Sequence, residues 1–344
     1  TGSNFVRGVI SLVVSETSML GQLNKDIAVI EQDEAYAVHF VKQFRPRGVV
    51  VLNVMRDQMD RFGEIDNTAQ LLNKVTEQAS SFVVLNQDDS RVSRLLTKDN
   101  VKRLTFAVSK EVSHLYTSED DWHGKSGKSS KNTLNSNVVL KSINKNQIIY
   151  GYKGRDFGIV PRVGGLHNFQ NLEAAFLAVK EVLKDKFSVQ EIFEFLGKIE
   201  PAFGRGETID IGDKIIHLQL VKNPAGFVQS LRLIQEELPD CIMIAINDDY
   251  ADGRDMSWLW DVVYNKDIKP GSKIIVSGRR AYDMAVRLKY YELDSEVDID
   301  LDKAIERTLS QLSGGQKGLI FCTYTAMLEI RKILEKQGHV EAVR

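Results

Sequence analysis

Short apolar runs alternate along this chain with stretches whose apolar positions recur every three or four residues, the mark of strands alternating with amphipathic helices. Asp26 to Glu31, Val49 to Leu52 and Phe82 to Leu85 read as strands, and Glu34 to Gln43 and Thr68 to Ala79 as helices. That rhythm predicts a parallel sheet with helices on its faces. From Val138 to Val163 the runs shorten and alternate, which predicts an antiparallel extension. A long helix follows from about Asn168 to Leu183, and another begins at Ser188, where Ser188 and Glu191 have the spacing of a capping box.

A second α/β unit starts near Pro201, so the boundary is placed near Glu200, giving units 1–200 and 201–344. Its strands lie around Ile209 and over Ile215 to Val221, Ile242 to Ile246, Ile274 to Val276 and Leu319 to Thr323. Its helices cover Gly226 to Glu236, Ala281 to Tyr291, Leu301 to Gln311 and Ala326 to Lys336. The stretch Ser118 to Asn137 has almost no apolar residues, and such composition predicts a mobile polar loop.

Composition narrows the class. With 344 residues, 43% hydrophobic, 27% charged and a formal net charge of -2, the chain has room for two domains and lacks the basic excess of a bulk nucleic-acid binder. No apolar run has the length of a membrane span. Cys241 and Cys322 both sit in apolar runs and read as core residues, consistent with a reducing cytoplasm. There is no G-x-x-x-x-G-K-[ST] phosphate loop, no C-x-x-C pair, and no Ser or Cys with an obvious catalytic partner.

Candidate chemistry lies where strands end, because ligands of open α/β sheets bind there. Glu31 follows an apolar run, and a carboxylate so placed suits a hard cation such as Mg²⁺; a surface acid capping the next helix is the commoner arrangement. After Val49 to Leu52 comes a loop holding Arg56, Asp57, Asp60 and Arg61. Its guanidiniums suit phosphate or carboxylate, and its acids equally suit the first turn of a helix. Gly164-Gly165-Leu166-His167-Asn168-Phe169-Gln170-Asn171 opens the long helix. Asn168 and Asn171 lie one turn apart and can face one ligand, although N-capping by Asn168 is the simpler use and a lone histidine such as His167 is usually structural. Arg205, at the unit junction, can clamp a phosphate or sit exposed in a hinge. Lys222 and Asn223 follow a strand, and Lys222 either meets an anion or is solvated. The densest stretch, Asn247 to Asp261, combines five acids with Arg254, Trp258 and Trp260, and reads as a shaped site or partner surface.

Arg56 to Glu64, Lys222 to Phe227, Ala251 to Trp258, Arg280 to Tyr290 and Thr323 to Leu328 together resemble the Mur ligase superfamily and, within it, the MurT-type subunits of lipid II amidating complexes. The similarity extends over nearly the whole chain. It implies a central parallel-sheet ATPase domain followed by a Rossmann-like C-terminal domain that closes over it. It implies ATP and Mg²⁺, with Glu31 as the metal ligand, His167, Asn168 and Asn171 near the adenine, and Arg205 near the phosphates. Arg56, Asp57, Lys222 and Asn223 become expected substrate contacts. The implied reaction is phosphorylation of the D-glutamate α-carboxylate of the lipid II stem peptide, then attack by ammonia to give D-isoglutamine. The ammonia would come from a GatD-type glutaminase partner, and an aspartate of this chain would complete that partner's triad, Asp255 first and Asp252 second. The implied location is cytoplasmic, at the inner face of the membrane through lipid II. Another Mur-type amino-acid ligase and a catalytically silent scaffold for a glutaminase are the rival readings.

Two departures modify that expectation. The upstream phosphate loop of the family is not in the chain, and Thr1-Gly2-Ser3-Asn4 resembles the segment just after it, so a fragment is expected. The place of the zinc ribbon carried by many relatives is the Cys-free stretch Ser118 to Asn137, so zinc is not expected.

Overall fold

Two six-stranded sheets organise the described residues. The computed structural model describes residues 6–55, 65–116, 136–144, 147–200 and 205–340. The strands are β1 Gly48–Val51, β2 Phe82–Asn86, β3 Lys102–Val108, β4 Val138–Asn144, β5 Gln147–Tyr152, β6 Arg155–Ile159, β7 Arg205–Ile211, β8 Lys214–Leu220, β9 Cys241–Ala245, β10 Ile274–Ser277, β11 Glu296–Val297 and β12 Lys317–Cys322. The helices are α1 Val6–Glu16, α2 Glu34–Gln43, α3 Ile65–Thr76, α4 Lys110–Ser113, α5 Leu166–Leu183, α6 Val189–Gly197, α7 Pro224–Leu231, α8 Leu233–Glu237, α9 Ala281–Lys289, α10 Leu301–Ser310 and α11 Tyr324–Lys336.

In the first sheet the strands run β1-β2-β3-β4-β5-β6, parallel through β4 and antiparallel from β4 to β6. Side chains of a strand alternate between faces. In β2, Phe82 and Val84 therefore enter the core shared with α5 and α6, while Val83 and Leu85 enter the opposite core with Val51, Val54 and Leu95. Every residue of β2 is buried, which is why the sequence there is an unbroken apolar run. Ser188 and Glu191 do form a capping box at α6.

The second sheet runs β11-β10-β9-β12-β8-β7, and only β7 is antiparallel to its neighbour. On β9, Ile242 and Ile244 face the layer containing α7 and α9, while Cys241, Met243 and Ala245 face α10 and α11. Cys241 and Cys322 are buried free thiols. The chain leaving β9 goes to the α9 layer and the chain leaving β12 goes to α11 on the other face. Their carboxyl ends therefore form a switch point, the place where such sheets hold ligands.

The structure corrects several sequence expectations. Asp26 to Glu31 is no strand; it is irregular and mostly exposed, with Val29 at 89%. An apolar run reads the same whether or not a neighbour is present to pair with it. Helix α5 starts at Leu166 with Gly165 as N-cap, so Asn168 lies in the first turn and does not cap. The expected helix Gly226 to Glu236 is broken at Arg232 into α7 and α8. Strand β3 and helix α1 had no counterpart in the sequence reading. The polar stretch 118–135 lies outside the described residues. Among the described residues, no helix is long and apolar enough to cross a membrane.

Candidate functional site

The carboxyl end of the first sheet gathers polar groups that its interior lacks. Asn86 ends β2, and Asp88 and Asp89 follow it. The Oδ2 of Asp88 accepts from the Val108 amide at the end of β3 (2.8 Å) and from the Gln170 side chain near the start of α5 (3.3 Å). Asp89 Oδ2 accepts from the Val54 amide just after β1 (2.7 Å), while its Oδ1 accepts from the amides of Arg91 and Val92 (both 2.9 Å). Burial pushes the Asp88 carboxyl up to about 6, with Asp89 beside it adding to the rise. Burial also raises Asp89, against the pull of its amide donors. Glu173, on α5, is fully buried; desolvation and then Asp88 hold it well above the usual carboxylate range, against the pull of the Leu140 backbone.

Two phenols fix the start of α5. Tyr116 donates to the Leu166 carbonyl (2.8 Å) and Tyr150 to the Phe169 carbonyl (2.9 Å). At Gly165 φ is +89°, and a side chain there would collide with the His167 ring at 2.9 Å, so the glycine lets the histidine fold back over the turn. Asn168 spends its amide on the Gly164 carbonyl (2.7 Å). Asn168 and Asn171 are both half-buried, and the Asn168 N–H is given to the Gly165 carbonyl, which leaves the N–H groups before it with no carbonyl inside the helix to bond. This end of α5 is suited to a polar ring or an anion.

Of the other sequence candidates in this unit, Glu31 is exposed in an irregular segment just before Asp33, which caps α2 by accepting from the Ala35 amide. Arg56 and Asp57 lie outside the described residues. No cluster of three or more His, Cys, Asp or Glu among the described residues has the geometry to hold a metal. At most, then, Glu31 offers one carboxylate to a cation held mainly by other oxygens, the usual way Mg²⁺ is bound alongside phosphate.

Arg205 opens β7, with its backbone paired to Gln219; its side chain is outside the description. The register slips between Arg205 and Glu207, a bulge of the kind that re-aims a strand end. Glu207 is tied there to the buried Arg331 of α11. Lys222 is exposed, and Asn223 caps α7 by accepting from the Gly226 amide at 2.8 Å. The two units meet where Arg232 donates to the Leu115 carbonyl at 2.6 Å, next to Tyr116.

The Asn247 to Asp261 loop is folded by named bonds at the switch point of the second sheet. Asp248 pairs with Arg280, and Asp249 with Arg279. Gly278 has φ +84°, and a Cβ there would strike the Ile246 carbonyl at 2.6 Å, so the turn into α9 requires glycine. Asp252, only 4% exposed, accepts from the Thr325 amide (2.8 Å), the Thr325 hydroxyl and the Asp249 amide (3.1 Å). Both of its oxygens are thus committed to holding the loop on the first turn of α11. Asp255 differs. Its Oδ1 accepts from the Ser257 amide at 2.9 Å, it is half-exposed, and no further hydrogen bond to it is found among the described residues. Behind it, Arg287 bonds the carbonyls of Leu259, Trp260 and Val262 and the Tyr291 hydroxyl, and lies 4.4 Å from the centre of the Tyr291 ring. That buried guanidinium fixes the Trp258 and Trp260 turn that presents Asp255.

Comparison with known proteins accounts for this layout. The family described as Mur ligase middle domain matches residues 13–179, and the family described as MurT ligase C-terminal matches residues 220–327. The chain belongs to the Mur ligase family, with a C-terminal part of the MurT branch. Among curated relatives of this Mur ligase chain is the lipid II isoglutaminyl synthase (glutamine-hydrolyzing) subunit MurT of Streptococcus pneumoniae, 29% identical over 97% of this chain and 79% of that protein. The subunit of the same name from Staphylococcus aureus is 28% identical over 90% of this chain and 74% of its own length. Solved structures of similar fold include a pseudomurein peptide ligase type C from Methanothermus fervidus (TM-score 0.67, 16% identity, 87% of this chain) and MurF from Acinetobacter baumannii (TM-score 0.63, 14% identity, 86% of this chain). A MurF ligase from Thermotoga maritima, solved in complex with ADP, has TM-score 0.61 at 14% identity. The chain spans 65% and 62% of the length of the first two of these structures.

Proposed function

We propose that this Mur ligase chain is the ATP-using half of an amidating ligase that converts a glutamate α-carboxylate of the lipid II stem peptide to its amide, with ammonia delivered by a GatD-type glutaminase subunit. The reading is carried by one observation: a Mur ligase middle domain is joined to a MurT-type second unit whose loop holds Asp252 internally and leaves Asp255 presented. The names of the curated relatives support the same reaction.

A carboxylate resists attack by ammonia because its leaving group would be oxide. Transfer of the γ-phosphoryl group of ATP to a carboxylate oxygen, with ADP departing, supplies a phosphate leaving group instead. Ammonia then adds to the carbonyl carbon, the C–O bond to phosphate breaks, and the nitrogen loses a proton, giving amide and inorganic phosphate. Phosphoryl transfer depends chiefly on positioning and on balancing charge. In this reading the first turn of α5, with His167, Asn168 and Asn171, takes the adenine, and Arg205 approaches the phosphates as the second unit closes. Arg56, Asp57, Lys222 and Asn223 are the candidates for binding the acceptor. Glu31 would hold a Mg²⁺ already bound to the nucleotide, where the ion lowers the charge on the transferring group. The acyl phosphate is lost if water reaches it, and closure of the two units protects it. The location follows from the substrate: the cytoplasmic side of the membrane that carries lipid II.

The test is Glu31→Ala in the natural full-length chain with its glutaminase, MgATP, glutamine and lipid II. Amidation is expected to fall on the order of tenfold to a hundredfold, with co-purification of the glutaminase unchanged. Undiminished amidation would remove Glu31 from the site.

A further inference from the structure

We propose that Asp88 and Asp89 are positioning residues of the active site: adjacent carboxylates that hold its nucleotide bank, the start of α5, and its acceptor bank, the segment following β1, in fixed relation across the end of the sheet. The inference rests on the reading of α5 as the nucleotide end, and it assigns these residues no contact with nucleotide or substrate.

The bonding carries it. One dipeptide just after strand β2 receives donors from four separate places: the segment after β1, the turn at Arg91 and Val92, the end of β3, and α5. The division of labour is clean. Asp88 serves β3 and α5; Asp89 serves the segment after β1 and its own following turn. Gln170, the α5 end of the tie, lies between Asn168 and Asn171 in sequence. Val54, the other end, is two residues before Arg56.

Two neighbouring carboxylates in a largely buried place are an expensive way to tie loops together, since each ionised form disfavours the other. Val108, Gln170 and Val54 are all donors, so an apolar pair would leave them unsatisfied, and a buried unpaired donor is costly. The groups facing Asp88 are Asp89, Glu173 and, more remotely, Tyr116; Arg91 is the cation near Asp89. A tie under such electrostatic load belongs at a site that must be held still, where displacement by an ångström is expensive in rate.

Two substitutions cut the banks separately. Gln170→Met removes the tie from α5 to Asp88 and leaves the Val108 bond. Asp89→Asn keeps one acceptor oxygen for the following turn and turns a donor toward the Val54 amide. With MgATP and lipid II as the varied substrates of the natural full-length chain and its partner, Gln170→Met is expected to raise KM for ATP about tenfold with KM for lipid II within about twofold. Asp89→Asn is expected to do the reverse. A purely structural role would move both constants together or only the melting temperature, and either result overturns the proposal. Asn168→Ala is run alongside. If it raises KM for ATP while Gln170→Met does not, the positioning role is wrong and the nucleotide end stands; if neither does, both fall.

Discussion

Asp255→Asn is expected to lower glutamine-driven amidation on the order of 10³- to 10⁴-fold while leaving amidation from added ammonium salts nearly intact. In the proposed complex the glutaminase needs an acidic group to orient and stabilise its catalytic histidine, and losing such a carboxylate from a triad has an effect of that size. Asp255 is proposed for that role on its local bonding. One of its oxygens is steadied by the Ser257 amide, which leaves the other to accept from an imidazole N–H of the partner. Asn at this position keeps the first bond and presents an amide of ambiguous orientation in place of the second acceptor. Asp252→Asn should behave differently, because Asp252 works inward on Thr325 and Asp249. Its loss loosens the loop and lowers the melting temperature together with glutamine-driven turnover. Turnover of glutamine and of ammonium chloride by the two variants, measured side by side, decides the matter. Equal loss with both nitrogen sources after Asp255→Asn would move Asp255 out of the partner's triad.

Asp88→Asn is expected to make the folded chain more stable at neutral pH. The carboxyl has its acidity shifted from an ordinary 3.8 to about 6 by burial, so the folded state favours the protonated form. The sign follows from linkage: the advantage of the protonated acid is complete below about pH 4 and is lost as pH rises through 6. Above that, the ionised side chain costs up to about 3 kcal/mol. An amide of the same shape removes that cost while still accepting the Val108 and Gln170 hydrogen bonds. Urea denaturation should show a gain of up to about 3 kcal/mol near pH 8 that shrinks toward zero near pH 4. A gain independent of pH, or none near pH 8, would show that burial does not burden Asp88 as described. A carboxylate kept at such a cost is a common sign of a functional site.

Much of the scaffold was legible because burial on both faces leaves an unbroken apolar run. The strands now placed as β2, β9 and β12 were read within two residues of their true ends. The run Asp26 to Glu31 misled for the same reason: its composition suits a strand, but no neighbouring strand pairs with it among the described residues. Asn168 and Asn171 are proposed from their helical spacing. Asp88 and Asp89 were missed, since two acids after a strand look like any solvated turn. Their meaning lies in donors 20 to 82 residues away, which local pattern cannot show. The bond that ties Asp252 to Thr325, 73 residues away, is likewise invisible to local pattern.

Activation of the acceptor carboxylate by ATP is tested most directly by isotope transfer. Lipid II labelled with ¹⁸O in both oxygens of the glutamate α-carboxylate is converted by the natural full-length chain with its partner, MgATP and glutamine, and the released phosphate is examined by mass spectrometry. One ¹⁸O in each phosphate is expected, carried over when the C–O bond of the acyl phosphate breaks. Unlabelled phosphate accompanying amide formation would contradict it.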